Sequence, residues 1–410
     1  MPVSALPVAA SPRPRSRCHP PRLAPRAAVL CAALAALGLA SAPALAVDKY
    51  AGAFLRVGAG ARAVGMGGAF AALADDASAA YWNPAGLTQL PMRQVLYQHS
   101  EQFGSAVNYD YGALAWPLAD STQGPRPTVA ISLVRLGVGD IPITPEAGDL
   151  RPGVDFEDGD GDPSTNLPTE NNGVWDAGER LFLDASGFGL ESANDWALFF
   201  SYARCFGERL SAGASLKMVY RTLPGYYDRT TGNSTSFSAW GAGLDLGLTY
   251  AAATDLQLAF VAHDLTTTYM SWDTGTREHV SPSFDLGGRY SARLAAKHAL
   301  TLAAHMPFNF DGYTPDQYFG IAADLGADGE PRTGFSGTIN AGVEYWYDEL
   351  FALRTGMMGR DLTFGAGVRY KKIGADYAAV FNRVFGTDVP GFSGSSNLDV
   401  THRVSGSYNF

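Results

Sequence analysis

Hard oxygen ligands are the most chemically suggestive residues in this chain, and one stretch concentrates them. Between residues 137 and 193 there are thirteen acids against two bases, Arg151 and Arg180. Within it lie Asp155, Glu157, Asp158, Asp160 and Asp162. Downstream, the spacing follows a calcium-binding EF-hand loop from its third position onward. Glu170, Asn172, Asp176 and Glu179 would supply side-chain oxygens and Val174 its carbonyl, with Gly173 at the turn. The loop departs from the pattern at its first position, where Pro168 replaces the usual Asp, so a neighbouring acid would have to stand in. Calcium is the expected ion, because crowded carboxylates repel one another without a cation; no other cofactor is required. Catalytic signatures are missing: no G-x-S-x-G or H-E-x-x-H occurs, and His99, His263, His279, His298, His305 and His402 stand singly. The expectation is a protein that is not an enzyme.

A second stretch, residues 50–90, is rich in glycine and alanine. Glycines at 58, 60, 65, 67 and 68 predict tight turns and close backbone approach. Asp75, Asp76 and Ser78 are candidate caps of a short helix, and Asn83-Pro84 marks a turn. Gly58-x-Gly60-x-x-Ala63 superficially matches a dinucleotide fingerprint, but no strand–helix–strand unit surrounds it. The segment FLRVGAGARAVGMGGAF, followed by ADDASAAYWNPAGL, resembles the N-terminal signature of the PorV/PorQ family, relatives of the FadL long-chain fatty-acid transporters. The resemblance covers about 40 residues. It implies a fourteen-stranded barrel whose N-terminal segment folds into the lumen as a hatch, with Asn83-Pro84-Ala85 against the wall. The hatch residues it singles out are Gly58, Arg62, Gly65, Met66, Gly67, Asp75, Asp76, Asn83, Pro84 and Ala85. In PorV the barrel assists type IX protein secretion; in FadL relatives hydrophobic substrates pass the hatch and leave sideways.

What would position these segments is a long series of strands. From residue 92 onward, apolar and polar residues alternate with a period of two. Leu362, Phe364, Ala366, Val368 and Tyr370 interleave with Thr363, Gly365, Gly367 and Arg369. Alternation over ten or more residues with aromatics at the ends fits a transmembrane barrel, whose outer face meets lipid and whose rims carry aromatic girdles. Fourteen strands are expected, near 92–101, 106–116, 127–136, 194–205, 208–220, 237–250, 254–263, 281–290, 297–306, 335–347, 350–358, 361–371, 373–383 and 400–410. Connections on one side are mostly short. Those on the other, at 137–193, 221–236, 264–280, 307–334 and 384–399, are long, as in barrels with short periplasmic turns and long outer loops; two more on that side, near 102–105 and 359–360, are short and do not discriminate. The closing strand ends on Tyr408 and Phe410, resembling the signal read by the outer-membrane assembly machinery. Lys217, Asp245, Asp285, Arg289, Glu344, Arg354, Arg369 and Arg403 share the polar parity and should point into the lumen. Their mixed signs suggest pairs rather than an ion filter.

The beginning of the chain gives the compartment. Five arginines, no acid, an apolar run over Ala27–Leu39 and Ala44-Leu45-Ala46 read as a cleaved signal peptide over residues 1–46. Residues 47–91 are then the hatch and 92–410 the barrel. Without the leader, 25 of the 30 bases remain against 40 acids, a formal charge of −15, which excludes a nucleic-acid binder. Two of the three cysteines lie in the leader, leaving Cys205 and no disulfide framework. The expected location is the outer membrane of a Gram-negative-type bacterium, with lipid, the assembly machinery and either secreted cargo proteins or hydrophobic ligands as partners. The first functional expectation is export assistance of the PorV/PorQ type. The alternative is a FadL-like transporter of hydrophobic small molecules, and a third is a structural or adhesive barrel acting through its acidic loop.

Overall fold

The computed structural model describes residues 52–102, 106–118, 127–143, 154–157, 180–183, 189–228, 233–309, 336–381 and 400–410. The expected signal peptide lies outside them, as does the calcium run from Glu170 to Glu179. Fourteen antiparallel strands form a closed barrel. In chain order they are β1 (Gln94–Gln102), β2 (Val107–Pro117), β3 (Thr128–Ile143), β4 (Gly189–Phe206), β5 (Leu210–Asp228), β6 (Asn233–Ala251) and β7 (Leu256–His263), then β8 (Ser283–Ala295), β9 (His298–Asn309), β10 (Asn340–Tyr347), β11 (Phe351–Met358), β12 (Asp361–Tyr370), β13 (Ile373–Phe381) and β14 (Val400–Asn409). Each pairs with its neighbours, and β14 returns to β1 in a register running from Gln94 opposite Asn409 to Glu101 opposite His402. No barrel edge is left, so every ladder finds a partner.

The period-two pattern has a direct physical outcome. Ile131, Leu133, Phe200, Leu216, Met218, Leu258, Leu302, Leu353 and Phe364 are exposed on the outer surface, although each is apolar. Trp116, Tyr202, Phe206, Tyr250, Tyr290, Tyr347, Phe351, Tyr370, Tyr408 and Phe410 ring one rim. That surface suits lipid, with amphipathic rings at the headgroup level. The same rim carries the tight turns. Asp348 and Glu349 both adopt positive φ, +53° and +54°, as a mirror-type hairpin turn between right-twisted strands requires.

The structure departs from the expected boundaries on the opposite side. β3 to β6 continue well past the expected strand ends, and Val154–Glu157 pairs with Arg180–Leu183 in a separate two-stranded sheet inside the region expected to be loop. Beyond the lipid the outward face need not be apolar, so pairing persists after the hydrophobic pattern fades. Likewise 264–280 contains a hairpin, Thr268–Trp272 against Arg277–Val280, which also pairs with β6. Between β7 and this hairpin the wall bulges. From Leu246 to Ala242, β6 advances four residues while the facing chain advances seven, from Ala262 to Tyr269. Asp264 and Thr267, at φ +52° and +55°, absorb the turn. The expected strand at 335–347 is interrupted, Ser336–Gly337 standing apart from β10.

The interior is filled by residues 52–90. Gly52 touches Val280, beyond the outer end of β8, whereas the segment leaves at the short-turn rim to enter β1. It therefore runs through the lumen from the long-connection side to the short-turn side.

Candidate functional site

The lumenal segment is built from pieces too short to be stable alone: a 3-10 turn at Ala53–Arg56, α1 (Ala61–Gly65), α2 (Ala79–Trp82) and a second 3-10 turn at Pro84–Gln89. Helices of one turn gain nothing from propensity, so their order comes from packing. Gly58, Gly60, Gly67 and Gly68 all hold positive φ, between +65° and +89°. Of the expected caps, Ser78 precedes α2 without a side-chain cap. Instead Asp76 accepts from both the backbone N–H and the hydroxyl of Ser78. Asn83 accepts from the Ala85 N–H at 3.0 Å and so starts the second 3-10 turn, with Pro84 in its first position. Its amide also donates to the Ala71 carbonyl at 2.8 Å and to Leu248 of the wall at 3.3 Å.

Glycines on the inward face of the wall receive this segment. A Cβ on Gly213 or Gly247 would overlap Pro84 or Asn83, and one on Gly342 or Gly356 would overlap the backbone of Met66. The Gly65 and Gly365 backbones approach so closely that either Cβ would stand 3.2 Å from the other glycine's Cα. From the opposite direction, a Cβ on Gly67 would lie 2.5 Å from the Met357 nitrogen and 2.7 Å from the Ala341 oxygen. Backbone meets backbone at each of these contacts, and Gly287 of β8 receives Ala71 and Ala72 in the same way.

Charge fixes the orientation. Arg62 makes a two-pronged contact with Glu344 of β10, at 2.8 and 2.9 Å, and also bonds Asp75 and, at 3.5 Å, Asp76. Glu344 is held from behind by Arg354 at 2.7 Å, and Arg354 by Asp376 at 2.9 Å. Asp376 in turn meets Arg369 at 2.8 Å. Arg403 donates to the Gly58 carbonyl at 2.7 Å. His305 lies 2.8 Å from the Gly68 carbonyl and 3.0 Å from Asp285, which His263 also reaches at 3.0 Å. Lys217 bridges Asp245 and Asp264, at 3.0 and 2.8 Å, and so clamps the bulge. The lumenal charges are thus largely paired with one another. Asp76 is buried beside Arg62, and the Tyr81 hydroxyl donates to the Leu55 carbonyl.

Apolar groups occupy the remaining space. Phe54, Phe70, Leu73, Tyr81 and Trp82 of the segment form one buried cluster with Val134, Phe199, Val219, Met270 and Val280 of the wall and hairpin. Leu55, Val57 and Leu136 lie partly exposed against it. Tyr81 packs edge-on to Trp82, Tyr111 and Phe199 at centroid distances of 5.2, 6.1 and 6.4 Å. The segment thus fills the lumen with an apolar body that leaves Leu55 and Val57 partly exposed.

All ten hatch residues expected from the sequence lie in this segment. Tyr408 and Phe410 lie at the short-turn rim. There the Phe410 N–H donates to the Arg93 carbonyl at 3.0 Å, and its ring meets Trp116 edge-on at 6.0 Å. The candidate calcium ligands Glu170, Asn172, Val174, Asp176 and Glu179 fall outside the described residues. Among the described residues no group of three or more His, Cys, Asp or Glu is arranged to hold a metal. Sequence reasoning missed the receiving glycines, the bulge and the His263–Asp285–His305 contact. Gly213, Gly247, Gly287, Gly342, Gly356 and Gly365 do share the inward parity, and that was the available signal.

No protein-family profile matches the chain, and no curated protein matches it in sequence. Solved structures do show a likeness. CymD, a monoaromatic hydrocarbon channel, is 14% identical over 86% of this chain and 98% of its own, with a TM-score of 0.49. The toluene transporter TbuX of Ralstonia pickettii is 14% identical over the same shares, with a TM-score of 0.46. A FadL homologue of Pseudomonas aeruginosa is 12% identical over 83% of this chain and 96% of its own, with a TM-score of 0.43. These are similar barrels, and the PorV/PorQ resemblance of the Gly-rich segment gains nothing from them.

Proposed function

We propose that the protein is an outer-membrane carrier of small hydrophobic molecules, gated by residues 52–90, and not an enzyme. One observation carries this reading. The lumen is lined by charge, yet the body filling it is apolar, and Leu55, Val57 and Leu136 stay partly exposed against its buried cluster. A barrel passing polar solutes has no use for an apolar surface inside a charged lumen; an apolar solute would partition onto it. The bulge at Asp264–Thr267, where β6 and its neighbour lose register, supports a sideways exit into lipid. Nothing among the described residues favours export of proteins over this reading, and the adhesive alternative rests on loop residues outside them.

The test compares uptake of a radiolabelled monoaromatic hydrocarbon, a medium-chain alkane and glucose. The host lacks other hydrophobic-compound carriers and expresses this chain. Faster uptake of both apolar compounds with unchanged glucose entry is expected. Unchanged entry of the apolar compounds would refute the reading.

A further inference from the structure

We propose that the outer face of β1–β3 is a dimer interface on which a second copy of this chain docks within the plane of the membrane. The proposal rests on the barrel spanning a bilayer and is independent of what the lumen carries. One row of paired residues, all with side chains on the outer surface, runs His99, Asp110, Arg135, Trp196, Tyr220, Trp240. The row changes character halfway, and its height explains why that matters. Trp196, Tyr220 and Trp240 stand ten, ten and eleven residues from the short-turn ends of their strands, at Phe206, Leu210 and Ala251. His99 stands five residues from Gln94, and Asp110 and Arg135 seven from Pro117 and Thr128. With strands tilted about 40°, each residue climbs ~2.5 Å. The aromatic trio therefore sits about 25 Å up, at the far edge of a lipid band about 25 Å tall, whereas the charged trio sits about 12–18 Å up, inside it.

Charged side chains facing lipid at that depth are destabilising. Here they are also accessible: the side chains of His99, Arg135 and Asp110 are 43%, 38% and 21% exposed, and that of Glu101 is 56% exposed. They are preorganised as well. Asp110 takes a bond from the Tyr97 hydroxyl and a 2.8 Å contact with His99, while Arg135 bonds Asn194 at 3.0 Å and stacks over Trp196. Within one copy Arg135 reaches Asp110 at 3.5 Å and Glu101 reaches His99 at 3.4 Å; the patch also matches itself across a two-fold, where a protein cover would replace lipid. Glu101 on β1 and Arg135 on β3 each stand seven residues above the rim, at one height, on either side of β2. A two-fold axis along the membrane normal through β2 brings Glu101 of each copy opposite Arg135 of the other, the reciprocal contact of a closed dimer. Close approach is open to the backbone. Gly112 and Gly406 flank Tyr97 in the row below, and a Cβ on either would meet no atom within 4 Å.

The test uses full-length protein in native outer membranes, with Cys205→Ser as background and Gly112→Cys beside the axis. Oxidation should give a disulfide-linked species of twice the mass on a non-reducing gel. Adding Glu101→Arg or Arg135→Glu should reduce cross-linking at least tenfold, and the double exchange E101R/R135E should restore it. Heat-modifiable mobility verifies that each variant has folded. A folded Gly112→Cys protein that stays monomeric overturns the proposal, as does cross-linking indifferent to both charge changes. So does a monomer that carries a bound lipid headgroup at this patch in native mass spectrometry.

Discussion

Substituting Gly67 by Ala should unseat the lumenal segment while leaving the barrel intact. Two effects add. Gly67 sits at φ +65°, where a side chain costs about 1–2 kcal/mol. The new Cβ would also stand 2.5–2.7 Å from three backbone atoms, the nitrogen and oxygen of Met357 and the oxygen of Ala341, none of which can rotate away. Overpacking of this kind costs roughly 1–3 kcal/mol. At about 1.4 kcal/mol per tenfold, the sum of ~2–5 kcal/mol shifts the unseated-to-seated ratio by roughly 30-fold to several thousand-fold. Gly356→Ala presses on the same contact from the wall with no positive φ, so only the ~1–3 kcal/mol packing cost applies, roughly 5- to 150-fold. Gly112→Ala, whose Cβ meets nothing, is the matched control. Conductance in planar bilayers and trypsin cleavage at Arg56 or Arg62 read the result. The expected order is G67A above G356A above G112A, with G112A equal to the parent. A folded G67A barrel as closed and as protease-resistant as the parent would refute the reasoning, because the contact would then not hold the segment in place.

Removing Arg62 as Arg62→Ala leaves Asp76 buried without its cation and should cost about 3–5 kcal/mol of segment docking, read as increased conductance. Arg62→Lys should recover only part of it, because an ammonium cannot reproduce the two-pronged contact with Glu344. Asn83→Ala deprives the Ala71 carbonyl and the Ala85 N–H of partners and should cost about 1–3 kcal/mol, seen as earlier loss of protease resistance in urea. Deleting Phe410 should lower the heat-modifiable fraction in the outer membrane without changing conductance per assembled barrel. Titration of the isolated 150–185 peptide by calorimetry should detect Ca2+ binding, abolished by Glu179→Gln; an absence of heat in the parent peptide would dismiss the ion.

The strand count was legible because a lipid-facing wall forces alternation. Where Leu362 to Tyr370 alternates with Thr363 to Arg369, the sequence predicts a single register, and β12 shows that face arrangement. Legibility ended where lipid ended: β3 to β6 extend outward through residues whose outer face need not be apolar. It failed again at the bulge, because Asp264 and Thr267 take a glycine-like φ without being glycine, and the lysine that holds Asp264 lies 47 residues earlier on another strand. The segment in the lumen was recognisable from its glycines and Asn83-Pro84. Its anchors were not, since the Arg62–Glu344 contact joins residues 282 apart and neither residue advertises the other. The receiving glycines were visible as small residues on the polar parity. Only the three-dimensional approach of Met66 and Pro84 shows that their size is a requirement of fit.

The path of residues 52–90 also constrains how the molecule can be made. The segment begins beside Val280 near one mouth, leaves at the other, and touches β5, β6, β10, β11 and β12 on the way. Contacts this close form most readily while β14 and β1 are still apart, so assembly is expected to seat the segment in an open curl of sheet before the wall closes at Phe410. A closed barrel would then reseat a displaced segment only slowly, through its own breathing. Refolding of a chain begun at residue 91, with the segment supplied afterwards as a free peptide, should fill barrels far more slowly than the intact chain fills itself.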